Sequence, residues 1–329
     1  MKKCCFIIPY FGKLPSFFSV FAKTCEKNQD FDWMIFTDDQ SELKVPNNVI
    51  INKMNYEDLK KLINKKMEFD CNFSEPHKLC DYKPAYGYIF EEYIKNYDFW
   101  GHCDLDIILG NMNKFITDEM LKKYDKLFCL GHMILYKNTY ENNRTFMKPL
   151  NGELLYKKVF TSPKTLIFDE TFGGKENINS IFEEYNKKIY YDDLSFNIKI
   201  FPTKFVRTRF NYKTYGYDNE KYKNALYVWN NGGLFRYYIE NNKLKKEEFL
   251  YMHFQQRKMK YDSKILEEEK FKIVPNSFLT LENEKIDEKN FKKIKKHIIC
   301  FHTLSKQFEF KRKGLKRRIN NLIGVSIDI

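Results

Sequence analysis

The chain has 329 residues, 43% hydrophobic and 17% aromatic, with only 13 Gly and 9 Pro, so it can bury a sizeable core and is neither disordered nor fibrous. The formal net charge is +13, but twelve Lys/Arg against only Glu309 and Asp328 fall in residues 289–329, so the charge belongs to a tail and not to the whole fold. Eight cysteines without a C-x-x-C pair, an opening apolar stretch cut short by Pro9, and no apolar run of roughly 18 residues argue for a reducing cytoplasm, with no signal peptide and no membrane span.

Cys4–Ile8 reads as a buried strand that stops at Pro9 and Gly12. Pro15 opens a helix with Phe18, Phe21, Ala22 and Cys25 on one face. A second strand, Trp33–Thr37, ends at Asp38-Asp39, and Val49–Ile51 offers a third. Strand, helix, strand with polar residues at the strand's end is how a doubly wound nucleotide-binding sheet begins. The spacing of Tyr86, Ile89, Phe90, Tyr93 and Ile94 predicts an amphipathic helix over 84–95. Two short apolar strands, 99–103 and 107–110, then flank Asp104-Leu105-Asp106. Leu127–Leu130 is a further strand, residues 138–164 read as irregular, and a helix is expected near 178–188. Strands are expected over 199–209, 225–238 and 249–254, with Asn230-Asn231-Gly232-Gly233 as a hairpin turn.

An acidic pair at i and i+2 between two buried strands is costly unless a cation answers it. Carboxylate oxygens suit Mg²⁺ or Mn²⁺, so Asp104 and Asp106 are candidate metal ligands, with a salt-bridged turn as the alternative. A second such pair, Asp30 and Asp32, follows a polar loop and is assigned no role. His253 ends an apolar strand just before Arg257 and Lys258. It is either a third ligand or a core histidine bonded to backbone, and the two cations are candidates to face the phosphates.

These segments together resemble a family of bacterial glycosyltransferases of the GT-A fold from capsule, O-antigen and exopolysaccharide loci. The resemblance is carried by Ile7–Phe18, Trp33–Asp39, Lys78–Gly87, Phe99–Met112, Leu130–Tyr136, Phe168–Gly174 and Met252–Met259. It implies an α/β, Rossmann-like mixed sheet flanked by helices over residues 1–260, followed by a basic helical extension over 261–329. It further implies a UDP-sugar donor, for which UDP-galactose is our choice, an Mn²⁺ or Mg²⁺ cofactor, and a lipid-linked or oligosaccharide acceptor. On the same resemblance Tyr10, Phe11, Asp38 and Asp39 border the nucleobase and ribose, Lys78, Asp81 and Lys83 touch nucleotide and sugar, and Asp104 touches both metal and nucleotide. Asp169 and Glu170 are candidate general bases for an inverting transfer, with Asp192 and Asp193 as a rival pair and a surface cap as the plain alternative for either.

In the tail, Phe291, Ile294, Ile298 and Phe301, and then Phe308, Leu315, Ile319 and Leu322, recur at helical spacing among lysines and arginines. Such a stretch either docks on an anionic inner leaflet, making the protein peripheral to the membrane, or packs its apolar stripe on the domain. Two other classes compete: a metal-dependent nuclease or nucleic-acid-binding protein, which would interleave cations and aromatics over the fold, and a non-catalytic carbohydrate-binding module, which needs no buried acidic pair. With the cations gathered in the tail, no nucleic-acid partner is expected.

Overall fold

The computed structural model describes residues 3–296 apart from 75, 172, 173, 200, 202, 256 and 282–284, together with positions 301, 304, 305, 307–309, 311, 312, 314 and 315. Its centre is a mixed seven-stranded sheet of β1 (Cys4–Pro9), β2 (Phe31–Thr37), β3 (Val49–Lys53), β4 (Phe99–Cys103), β6 (Lys126–Leu130), β7 (Met133–Lys137) and β8 (Ile189–Tyr190), in the order β3-β2-β1-β4-β7-β6-β8. The four strands from β3 to β4 run parallel and β7 is antiparallel to β4. Alternation along β1 explains why both faces are covered. Cys4, Phe6 and Ile8 enter one apolar cluster, which contains the inner face of helix α1 (Phe18–Glu26). Cys5 and Ile7 enter the other, with Leu59, Ile63 and Met67 of helix α2 (Tyr56–Met67).

A three-stranded sheet of β5 (Ile107–Leu109), β15 (Tyr251–His253) and β9 (Phe196–Asn197) sits beside this core. Beyond it, a six-stranded sheet is built from β12 (Leu226–Asn230), β13 (Gly233–Glu240), β14 (Lys243–Phe249), β16 (Lys260–Tyr261), β17 (Lys270–Val274) and β18 (Ser277–Thr280). A hairpin, β10 (Thr208–Asn211) and β11 (Gly216–Asn219), and short helices α3 (Tyr86–Ile89), α4 (Met112–Phe115), α5 (Asp118–Lys123), α6 (Leu155–Thr161), α7 (Ile178–Glu184) and α8 (Phe291–Lys295) complete the described chain. The expected hairpin at residues 230–233 is present, with Asn231 and Gly232 at φ 43° and 87°, the two positive values that a tight type I′ turn needs.

Several expectations give way. The helix foreseen over 84–95 is instead a 3₁₀ segment over Pro76–Ala85, the four residues of α3, and a 3₁₀ turn over Glu91–Tyr93. The helical backbone breaks at Phe90 (φ −105°, ψ 25°) and again at Ile94 (φ −110°, ψ 9°), and the Trp100 indole lies so close to Gly87 that an added Cβ would stand 2.1 Å from it. Helix α2 was not foreseen, although Leu59, Ile63 and Met67 recur every four residues and Asn55 caps it through Asp58 N–H. Residues 138–164 hold a 3₁₀ turn and α6 where loops were expected. The strand expected to be last, 249–254, is shorter and is followed by three more. The boundary expected at 260 therefore falls inside the six-stranded sheet, since β17 pairs with β12 and β18 with β17.

The first part of the expected basic extension packs inward. Phe291 and Ile294 of α8 are buried with Leu226, Val228, Tyr237 and Leu281, so they belong to the domain core. Ile298, Ile319 and Leu322 lie outside the described residues. Among the described residues no helix is long and apolar enough to cross a membrane.

Candidate functional site

The parallel strands β1 and β2 end where the site begins. Asp38 accepts the Gly12 N–H at 2.7 Å and Asp39 accepts the Leu14 N–H at 3.0 Å, so the two carboxylates staple the loop after β1. Hydrogen bonds from Ser41 and from the Leu14 amide hold the Asp39 carboxyl down at about 2. Tyr10, on that loop, is half-buried, and burial together with the Asp106 charge raises its hydroxyl. Phe11 packs against Tyr56 in a tilted arrangement with ring centres 5.2 Å apart.

Strand β4 delivers Asp104 at its end, and β5 begins directly after Asp106. His253 closes β15, which pairs antiparallel with β5 so that His253 stands opposite Ile107. This register brings the histidine beside the acidic step although roughly 150 residues separate them in sequence. His253 Nε2 lies 3.4 Å from Asp106 Oδ1 and 3.7 Å from Asp104 Oδ2. Among the described residues these three offer one ligand atom each, all within 4.8 Å of one another. The side chains of Asp104 and Asp106 are 34% and 16% exposed, so the group opens to solvent.

The other imidazole nitrogen is fixed. His253 Nδ1 is 3.0 Å from Asn197 Oδ1, which also accepts from Gln255 Nε2. An acceptor there places the proton of the neutral ring on Nδ1 and turns the Nε2 lone pair toward the carboxylates. Burial alone would lower the His253 pKa, but Asp106, Asp104 and Glu170 outweigh it and raise it. The donor set, two carboxylates and an imidazole with its distal nitrogen anchored, suits a divalent cation. Both alternatives for His253 meet here: it is held by a hydrogen bond, to a side chain and not to backbone, and it faces the acidic pair.

Lys83 joins this group to the second acidic pair. Its Nζ donates to Asp104 Oδ1 at 2.9 Å and to the Gly131 carbonyl at 2.8 Å, and stands 3.4 Å from Asp169 Oδ2. Burial works against its charge, but Asp104, Cys80 and Asp169 raise its pKa well above the ordinary lysine value. Asp169 is 4% exposed. Burial pushes its carboxyl up to about 7, since the nearby Glu170 and Asp104 charges add to desolvation and the opposing Lys83 is already engaged by Asp104. Glu170 is raised too, chiefly by burial, although it accepts the Gly131 N–H at 2.8 Å. A Cβ at Gly131 would stand 2.4 Å from Asp169 Oδ2, so glycine is what lets strand β6 approach the pair.

Not every expected residue comes here. Lys78 and Asp81 have fully buried side chains, 2.7 Å apart, and their polar atoms are spent on protein partners; a 3₁₀ segment turns them inward, and neither reaches the solvent side of the site. Arg257 donates to the Phe201 carbonyl and, at 3.4 Å, to Asn276 Oδ1, while Lys258 is exposed. Asp193 accepts from Ser195 N, Ser195 Oγ and Phe210 N, which makes it a loop anchor.

Four residues at the site were assigned no role from the sequence: Asn197, Gly131, His132 and Tyr251. His132 Nδ1 is 2.6 Å from the Tyr251 hydroxyl, and its ring centre is 4.5 Å from that of His253. Burial and the neighbouring His253 and Lys83 charges keep His132 well below the usual histidine pKa. Gly131-His132 could have been noticed as a strand-end step parallel to Cys103-Asp104.

A family model described as "Family of unknown function (DUF6625)" matches residues 6–282. No curated protein matches the chain. Among solved structures, the galactosyltransferase LgtC in complex with donor and acceptor sugar analogs aligns with 10% identity and a TM-score of 0.35, covering 59% of this chain and 75% of that one. An active-site mutant of LgtC aligns with the same identity, score and share of this chain, and 74% of its own.

Proposed function

We infer that this chain, which belongs to the DUF6625 family of unknown function, is a metal-dependent glycosyltransferase. In this reading it moves a hexose, galactose by our choice, from a UDP-sugar to a lipid-linked or oligosaccharide acceptor in surface polysaccharide biosynthesis. The observation that carries it is the convergence of Asp104, Asp106 and His253 within 4.8 Å, with Asn197 behind the histidine.

Asp104, Asp106 and His253 would hold Mn²⁺ or Mg²⁺, which supplies positive charge for the diphosphate that departs when the anomeric bond breaks. The chain's own groups do the rest. Lys83 occupies one Asp104 oxygen and leaves Oδ2 on the His253 side. The stapled loop after β1 offers Tyr10 and Phe11 as the border for the base. Asp169 has its carboxyl near 7, in the range where a group can take the acceptor hydroxyl's proton at neutral pH, and Glu170, tied to Gly131, is its partner.

The proposal also gives the tail a role on the acceptor side. Phe301, Leu304, Phe308 and Leu315 are 85%, 52%, 73% and 60% exposed at helical spacing beside Lys311 and Arg312. An apolar row flanked by cations fits an anionic membrane surface, and would keep the protein at the inner face of the plasma membrane, near lipid-linked substrates.

Thermal unfolding with UDP, measured with Mn²⁺, with Mg²⁺ and with EDTA, tests the core of this reading. Stabilisation by UDP that requires the metal supports it. A UDP response indifferent to EDTA, or none at all, overturns it.

A further inference from the structure

We propose that the buried Lys78–Asp81 pair is a positioning device that holds Ile167, at the entry to the Asp169–Glu170 pair, in a strained conformation. This rests on the reading of those two carboxylates as the proton-accepting pair.

The clasp is complete on both sides. Lys78 Nζ donates to Asp81 Oδ2 at 2.7 Å, to the Val159 carbonyl at 2.9 Å and to the Lys164 carbonyl at 2.7 Å. Asp81 in turn accepts the Leu166 N–H at 2.9 Å and the Phe168 N–H at 3.1 Å. The residue between those two amides, Ile167, has φ 57°. A β-branched side chain is a genuine outlier there, and such strain persists only where surrounding contacts over-determine it. Here one carboxylate grips the amide on each side of the strained residue, and the lysine ties that carboxylate to the start of the same segment. Asp169 follows Phe168 directly, so the grip fixes where the chain enters the acidic pair.

A buried ion pair is a poor source of net stability, because desolvation offsets the attraction. Its use lies in geometry. The pair joins the 3₁₀ segment that carries Lys83 to the loop that carries Asp169, and so sets the spacing that leaves Lys83 Nζ 3.4 Å from Asp169 Oδ2. Lys78 and Asp81 do not touch the reacting groups; they act through Leu166, Ile167 and Phe168.

The test compares wild type, Asp81→Asn, and Asp81→Asn combined with Ile167→Gly. Three readouts are taken: metal-dependent stabilisation by UDP, hydrolytic turnover of UDP-galactose, and hydrogen exchange over residues 164–170. Asp81→Asn should lower turnover on the order of 10–100-fold, the effect of a misplaced group, and speed exchange over 164–170. Its UDP and Mn²⁺ response should be kept, since Asp104, Asp106 and His253 are untouched. Glycine adopts a positive φ freely, so Ile167→Gly should recover most of the lost turnover and protection. General unfolding would instead abolish the UDP response as well. Wild-type exchange and turnover in Asp81→Asn, or a loss that glycine does not relieve, overturns the proposal. A wild type that shows no metal-dependent UDP response sinks the transferase reading instead, and the exchange arm still decides the clasp. Should Asp81→Asn not fold, native-state exchange of the wild type decides: the Leu166 and Phe168 amides should be as protected as strand amides of β1, and fast exchange at both refutes the grip.

Discussion

Asn197 Oδ1 stands 3.0 Å from His253 Nδ1 and thereby decides which face of that imidazole meets Asp104 and Asp106. Substituting Asn197 by Leu removes the acceptor while filling its space. Mn²⁺ affinity should fall by about 10–100-fold, the usual effect of losing the group behind a ligating histidine, as read by calorimetric titration. Undiminished affinity would mean that His253 is not a ligand.

Asp106→Asn removes a charged donor atom but keeps the side chain's shape. Turnover of UDP-galactose should vanish and Mn²⁺ titration should weaken, while the far-UV circular dichroism spectrum stays that of wild type. Full activity in this variant would rule out the acidic step as a metal site.

Gly131→Ala places a methyl group 2.4 Å from Asp169 Oδ2. Overpacking of this kind costs about 1–3 kcal/mol, and relief requires Asp169 or strand β6 to shift. Urea unfolding should show the loss of stability, accompanied by reduced turnover. A variant with wild-type midpoint and wild-type rate would show that the two do not press on each other.

Asp169 gives a pH signature. Burial raises its carboxyl in the folded protein to about 7 from the ordinary 3.8, so the folded chain binds the extra proton more tightly than the unfolded one. Its contribution to stability is therefore full below the ordinary carboxylate range and is lost as pH rises through about 7. In EDTA, the stability difference between wild type and Asp169→Asn should move against wild type from pH 5 to pH 8. A difference that stays flat, or moves the other way, would contradict the raised value.

Removing residues 297–329 tests the tail without opening the core, because Phe291 and Ile294 remain. The shortened protein should stop sedimenting with anionic liposomes and keep its UDP response. Unchanged sedimentation would exclude the tail as the membrane contact.

Much of the site was legible because its chemistry is rare in context. Asp104 and Asp106 interrupt an apolar run, and His253 ends one, so each stands out against its neighbours. The first half of the central sheet was legible too, since β1, α1 and β2 show their burial through simple periodicity. Lys78 and Asp81 were misread because a charged residue three places from its partner looks the same on a solvated turn and inside a core; only the 3₁₀ geometry sends them inward. The neighbouring stretch misled the helix assignment, as apolar spacing records which residues are buried and not whether the backbone at Phe90 and Ile94 stays helical. The roles of Asn197 and Tyr251 could not be found at all, because they depend on strands meeting from distant parts of the chain. The continuation of the six-stranded sheet past residue 260 was hidden for a related reason: β17 and β18 are short, and β12, to which β17 pairs, lies about forty residues earlier.

His253 faces Ile107 across the β5–β15 ladder, and this pairing has a consequence for biosynthesis. The strands that build the central sheet are all emitted by the ribosome before residue 191, whereas the third candidate ligand emerges some sixty residues later. A nascent or truncated polypeptide can therefore contain every strand of the central sheet while the acidic step still lacks its histidine. The candidate donor set is completed late, by the strand that also joins β5 to β9, so a chain that carries all three side chains is one that has been synthesised well past its middle.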